Sequence, residues 1–296
     1  MLPYRPVAMA LAIAAFAFVC LPVSEVFAQD APAAQASPDA AEAERLFLEG
    51  RAHFRGEGAP QDDVRARELL LKSAQMGNVK AMNNLGMMYA DGRGGAADGA
   101  EAVKWLTKAA DAGVALSQMN LGSLYADGKG VNKDGKVAAE WLRKAANQGL
   151  VEAQAKLGLL YFRGLPDFPV NYEESVRWFT KADAAGNAVA ENALGVCYEQ
   201  GLGVGMNIDR AAELFKKAAA QGDPKGMSNL GRLYTLGKGV PKDPVKAYSW
   251  LILSARKKEV TAENLLADYK RGLKPEEIAE GERIANEFKP APPRVN

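Results

Sequence analysis

Apolar and polar residues follow two superposed periods along this chain. The short one is helical: Ala81, Leu85, Gly86 and Tyr89 fall on one face of a helix, and Ala153, Leu157, Gly158 and Tyr161 mark the same face again. The long one is a repeat. A Leu-Gly pair returns at 36-residue intervals (Leu85-Gly86, Leu121-Gly122, Leu157-Gly158), then after one extra residue at Leu194-Gly195, and again at Leu230-Gly231. A unit of this size is one supersecondary element that cannot bury its apolar face alone. Such units are expected to stack into a quasi-one-dimensional array.

Each unit reads as two helices. Helix A carries the Leu-Gly pair. Glycine inside a helix costs roughly 1 kcal/mol against alanine, so its return at Gly50, Gly86, Gly122, Gly158, Gly195 and Gly231 predicts a neighbouring helix in close approach. A glycine three residues past the Tyr (Gly92, Gly128, Gly164, Gly201, Gly237) ends helix A, often with a second two places on. Helix B then opens at Asp62, Asp98, Asp134, Asn171, Asn207 and Asp243, side chains that accept from orphan backbone N–H groups. Asp98 with Glu101, and Asn171 with Glu174, have the spacing of a reciprocal capping box. Helix B is amphipathic, with Val103, Trp105, Leu106, Ala109 and Ala110 on one side and charges on the other. Glycine closes it in five units, and Lys258 stands there in the sixth.

These residues, A-x-x-x-L-G-x-x-Y-x-x-G-x-G and then a capped K-A-x-x-W-x-x-K-A-A-x-x-G, resemble the Sel1-like repeat family, a relative of the tetratricopeptide repeat. The resemblance implies an all-α fold, an α-α superhelical solenoid of six two-helix repeats spanning 43–78, 79–114, 115–150, 151–187, 188–223 and 224–258. The first is degenerate, with Glu49 for the Leu and His53 for the Tyr, as suits a terminal unit with one neighbour. Residues 259–288 are expected to form C-terminal capping helices, one of them opened by Pro275 with Glu276 and Glu277 in its first turn.

The flanks differ in kind. Residues 1–28 have the pattern of an export signal, with Arg5, a 15-residue apolar run from Val7 to Leu21, and Val26-Phe27-Ala28 as a cleavage site. That run falls short of the roughly 20 residues needed to span a bilayer. Cleavage near Ala28 and a periplasmic or secreted protein are therefore expected in preference to a retained anchor. Residues 29–42 and 289–296 lack periodicity and are expected to be a disordered linker and tail. Lys and Arg number 37 against 36 Asp and Glu, with no basic stripe, so no nucleic-acid partner is expected. Only Cys197 remains after cleavage, which excludes an intramolecular disulfide.

Candidate chemistry is sparse, and no catalytic residue, metal or cofactor is expected. His53 is the one histidine and stands at a packing position. The Gly-x-Gly loops lack the strand or the lysine of a phosphate-binding loop, and Asp127 with Asp134 lacks the closing glutamate of a calcium loop. Cys197, Trp105, Trp141, Trp178 and Trp250 fall on apolar faces and read as core rather than as a thiol site or a sugar-stacking row. The fourth unit departs from the rule with Leu165-Pro166-Asp167-Phe168-Pro169, a functional loop or a local repacking of Phe168.

One stripe remains for function. Positions five and two before, and two and five after, the Leu of each pair lie opposite the packed face of helix A. The resemblance implies that they line the concave side. They are Lys80, Asn83, Met87 and Ala90; Leu116, Met119, Ser123 and Ala126; Glu152, Ala155, Leu159 and Phe162; Val189, Asn192, Val196 and Glu199; and then the polar Lys225, Ser228, Arg232 and Thr235. An apolar centre with a polar margin predicts a groove for another protein, unless tight winding buries these side chains against the next helix A. The expected function is that of a non-enzymatic, exported adaptor or regulator. The resemblance adds regulators of sensor kinases and envelope-assembly factors as examples. The rival readings are a β-lactamase-like or penicillin-binding enzyme, whose relatives carry a cysteine pair per repeat that this chain lacks, and a peptidoglycan or polysaccharide binder.

Overall fold

A computed structural model describes residues 38–292, which form fourteen helices and no strand. The units are α1 (Pro38–Arg55) with α2 (Asp63–Gln75), α3 (Val79–Asp91) with α4 (Gly99–Asp111), and α5 (Ala115–Asp127) with α6 (Gly135–Asn147). Next come α7 (Val151–Arg163) with α8 (Tyr172–Ala184), α9 (Ala188–Gln200) with α10 (Ile208–Ala220), and α11 (Pro224–Leu236) with α12 (Pro244–Arg256). Two further helices follow, α13 (Val260–Arg271) and α14 (Pro275–Glu287). From α1 to α13 each helix packs on the next, and consecutive A helices touch from α3 to α11. The last helix, α14, packs on α12. The export signal and its cleavage site lie outside the described residues.

The glycine of each Leu-Gly pair is where helix B of the same unit seats a large side chain. A β-carbon at Gly86, Gly158 or Gly195 would stand 2.6 Å from an atom of Leu106, Phe179 or Phe215, and one at Gly122 2.8 Å from Leu142. At the ends the fit is looser, 3.0 Å to Leu70 at Gly50 and 3.1 Å to Leu251 at Gly231. These partners are fully or almost fully buried, so each contributes its whole side chain to the apolar gain of folding.

All six predicted caps of helix B accept a backbone N–H in the first turn, from Arg65, Glu101, Val137, Glu174, Arg210 and Lys246 in order. The reciprocal half of the capping box is different at Glu101. Its carboxylate turns outward to accept from Trp105 Nε1 at 2.9 Å and to pair with Lys104, a better use of a charge next to a buried indole. Glu174 likewise pairs with Arg177.

The second loop glycine does more than turn the chain: it docks each unit on the one before. A β-carbon there would meet the Asp63 carbonyl at Gly94, Gly99 at Gly130, the Tyr172 carbonyl at Gly203 and, at 2.6 Å, the Ile208 carbonyl at Gly239. In each case the neighbour is the first turn of the preceding helix B. The fourth unit does the same job with its insertion. Phe168 lies over Gly135 and tilts on Tyr161, with centroids 5.0 Å apart. Both Asp167 oxygens accept from Gly135 N–H, at 2.9 and 3.0 Å, and these bonds at a positive helix start hold its carboxyl below the usual carboxylate range. Leu165 and Phe168 exchange backbone hydrogen bonds, which closes the loop on itself. Repacking around Phe168 is thus what the insertion shows.

Both ends correct the composition-based reading. α1 begins at Pro38 with Asp39 in its first turn, inside the stretch expected to be linker. The chain after α14 is also tied down: Phe288 meets Trp250 edge-on at 5.3 Å, and Ala291 N–H donates to Ala220 O at 2.8 Å. Residues 260–271, within the stretch expected to hold capping helices, form α13. Lys258 takes the left-handed conformation (φ 60°) that the glycines adopt at the other five helix-B ends.

Candidate protein-binding surface

The stripe on helix A separates into rows with different fates. The row two residues before the Leu is buried throughout: Asn83 6%, Met119 4%, Ala155 4%, Asn192 8% and Ser228 5% exposed. It forms the seam between consecutive A helices. Asn83 Oδ1 accepts from Ser117 Oγ at 3.0 Å and from Asn120 Nδ2 at 2.9 Å, and Asn192 Oδ1 accepts from Asn229 Nδ2 at 2.8 Å. The seam is therefore polar and hydrogen-bonded between units two and three and between five and six, with Met119 and Ala155 at its centre. Asn83, Met119 and Asn192 hold the helices together instead of facing a partner, because close winding of the A helices covers them.

The flanking rows stay open. Lys80, Leu116, Glu152, Val189 and Lys225 are exposed, Leu116 at 47% and Val189 at 44%. Met87, Ser123, Leu159, Val196 and Arg232 are half-buried. Of the last row, Ala90 is buried, while Ala126, Phe162, Glu199 and Thr235 are half-buried. Three of these polar groups are spoken for, since Arg232 pairs with Glu199 at 2.6 Å, and Thr235 Oγ1 donates to Gly231 O. Lys80 is paired with Glu44 at 3.4 Å.

The apolar members converge around α7. Phe162 is steadied by Tyr172, edge-on at 5.5 Å, and by Phe179 at 6.3 Å. With Leu159, Val196, Asn192 and Asn229 it lines a hollow of about 270 Å³ reached by α7, α9 and α11 and by Glu259 and Thr261 at the start of α13. A second hollow of about 330 Å³ lies between α5 and α7, lined by Ser123, Ala126, Leu159, Leu160 and Leu165 among others. Leu159 and Arg163 line both. Arg163, six residues past its Leu, lay outside the fourfold rule read from sequence, and so did Glu259 and Thr261 at the start of α13.

Reactive chemistry does not gather here. Cys197 is fully buried and its thiol is pushed up to about 11 by that burial, which suppresses thiolate. His53 Nδ1 donates to Pro60 O at 3.1 Å, a loop contact. Trp105 and Trp178 are buried, whereas Trp141 and Trp250 are half-buried. Lys144 lies 3.8 Å from the Trp141 ring centroid and Lys181 4.0 Å from that of Trp178, which covers these rings with cations.

Comparison with known proteins matches this architecture. The Sel1 repeat model matches residues 38–78, 79–114, 115–150, 151–187, 188–223 and 224–258. A Sel1 repeat protein from Oxalobacter formigenes, of known crystal structure, is 30% identical with a TM-score of 0.68, over 83% of this chain and 99% of that one. The ERAD-associated E3 ubiquitin-protein ligase component HRD3B of Arabidopsis thaliana is 40% identical over 81 residues, and DAP3-binding cell death enhancer 1 of Rattus norvegicus 32% over 69. These alignments take in 27% and 23% of this chain and only 12% and 14% of the curated relatives. Sel1 repeat proteins are protein-interaction scaffolds, and six consecutive matches, on helix pairs that stack as in the Oxalobacter protein, make this chain a member of the Sel1 repeat family.

Proposed function

We propose that this protein is exported, loses its first 28 residues, and works in the periplasm or outside the cell as a non-enzymatic adaptor that holds another protein on its A-helix face. The observation that carries this reading is the cluster of Leu159, Phe162 and Val196, half-buried apolar side chains lining an open hollow whose floor is fixed by the hydrogen-bonded seam. Rigid apolar walls with a polar margin bind a polypeptide at low ordering cost. A regulator of a sensor protein or a factor in envelope assembly would use such a face in the same way.

Site-specific photo-crosslinking in the producing cell tests the proposal. A photoreactive residue in place of Leu116 or Val196 is expected to capture one discrete protein, lost when Phe162→Glu is added. The same probe at Lys216, exposed on α10, is expected to capture nothing discrete. Equal capture from Lys216, or capture that ignores Phe162→Glu, overturns it. N-terminal sequencing of the recovered protein is expected to begin at Gln29, and an intact Met1 would overturn the export reading.

A further inference from the structure

The proposed face carries a charge that its apolar rows do not account for. Lys133, Lys156 and Arg163 line the hollow between α5 and α7, and Arg163 and Lys225 line the hollow beside α9 and α11. Among the described residues the side chains of Lys133, Lys156 and Arg163 make no hydrogen bond or ion pair, while Lys225 lies close enough to Asp223 to act on its carboxyl. Other cations on or beside this face are neutralised: Lys80 by Glu44, Lys129 by Asp91 and Arg232 by Glu199. Only two acids line the same hollows. They are Asp127 and Glu259, whose carboxylate also caps α13 by accepting the Ala262 N–H at 2.8 Å, so four cations face two acids. The excess is local, because the chain as a whole carries a net charge of only +1.

Unpaired cations around Leu159 and Phe162 select for one kind of occupant. We infer that this face takes an acidic amphipathic segment of a partner protein, its apolar side chains seated on Leu159 and Phe162 and its carboxylates reaching Lys156 and Arg163. A neutral glycan would leave the cations unused, and a nucleic acid or sulfated polymer would leave the aliphatic walls unused. A peptide with both characters satisfies both, and the charges would speed and orient its docking. This inference rests on the proposed use of the A-helix face for protein binding.

Selection of random short peptides on the protein recovered from expression of the full chain tests it, in parallel with Phe162→Glu and with Lys156→Glu/Arg163→Glu. The expected winners are rich in Asp and Glu interleaved with Leu or Phe. Their affinity should fall roughly tenfold or more on the charge-reversed variant and weaken with added salt. That variant should melt with the wild type, since neither side chain has a partner to lose. Winners that fail on Phe162→Glu but show no acidic bias, and bind the charge-reversed protein equally, overturn the inference and leave the binding face standing. If no peptide is selected, or winners ignore both variants, the binding face itself is refuted. Dextran sulfate that binds as tightly, ignores Phe162→Glu and is lost on charge reversal would replace the peptide by a polyanion.

Discussion

The two sides of helix A obey different rules. The side facing helix B follows one rule, a Gly with a Leu or Phe of helix B lodged against it in all six units and a Leu beside that Gly in the last five. The opposite side changes at each step, from Met87 to Ser123, Leu159, Val196 and Arg232 at one equivalent position. Repetition marks where the array must fit itself, and variation marks where it is free to fit something else. Between the two runs the buried row from Asn83 to Ser228, repeated in burial but not in chemistry.

The largest effects are expected on the invariant side. Phe215→Ala removes a side chain with no exposed surface and should cost about 3–5 kcal/mol. Gly195→Ala forces a methyl to 2.6 Å from the same ring and should cost about 1–3 kcal/mol, despite the better helix propensity of alanine. Urea unfolding measures both, and a neutral Gly195→Ala would break the contrast between the two sides.

Next in size is the seam. Asn83→Ala leaves Ser117 Oγ and Asn120 Nδ2 without their acceptor and should cost about 1–3 kcal/mol, whereas Met87→Ala one turn further on, half-exposed, should cost less. Equal losses in thermal unfolding would show that the row is no more structural than its neighbour.

How far the sequence carried this picture follows from the range of each interaction. The caps at Asp62, Asp98, Asp134, Asn171, Asn207 and Asp243 act within three residues and were legible from spacing alone. Contacts to the next unit were not: Asn83 meets Asn120 37 residues away, and Asp167 meets Gly135 32 residues away. Glycine in Gly-x-Gly looks like a turn residue whether or not a neighbouring helix start lies against it, so its docking role was hidden. α13 was legible only as part of the 259–288 capping stretch and not by its bounds, because it buries only Ala262 fully. Of the candidate face, the positions were readable but their burial was not, since tight or loose winding gives the same periodicity.

Electrostatics offers a smaller test. Arg93, in the loop of the second unit, holds Asp63 at the start of α2 with bonds of 2.6 and 2.9 Å and lies 3.7 Å from the Phe54 ring centroid. The pairing puts the Asp63 carboxyl below the usual carboxylate range. A lowered acid favours the folded state when ionised, so its contribution is full above the unfolded value of about 3.9 and is lost as the pH falls through the lower, folded one. Arg93→Leu should therefore lower the melting temperature near neutral pH and flatten the acid limb. An unchanged limb would exclude the pair as a link between units. Smallest, and opposite in sign, Lys258→Gly should stabilise by up to about 1 kcal/mol, because Lys258 sits where glycine fits best.

The division of helix A into a closed seam and an open wall can be read directly by methionine oxidation with mass spectrometry, in the free protein and with the polypeptide captured through Val196. Met87 is expected to oxidise faster than the buried Met88 and Met119 and then to become protected in the complex, while Met206, 75% exposed in the loop before α10, stays reactive in both. Met87 reacting as slowly as Met119 in the free protein, or protection at Met206 with none at Met87, would contradict a binding face on the A helices.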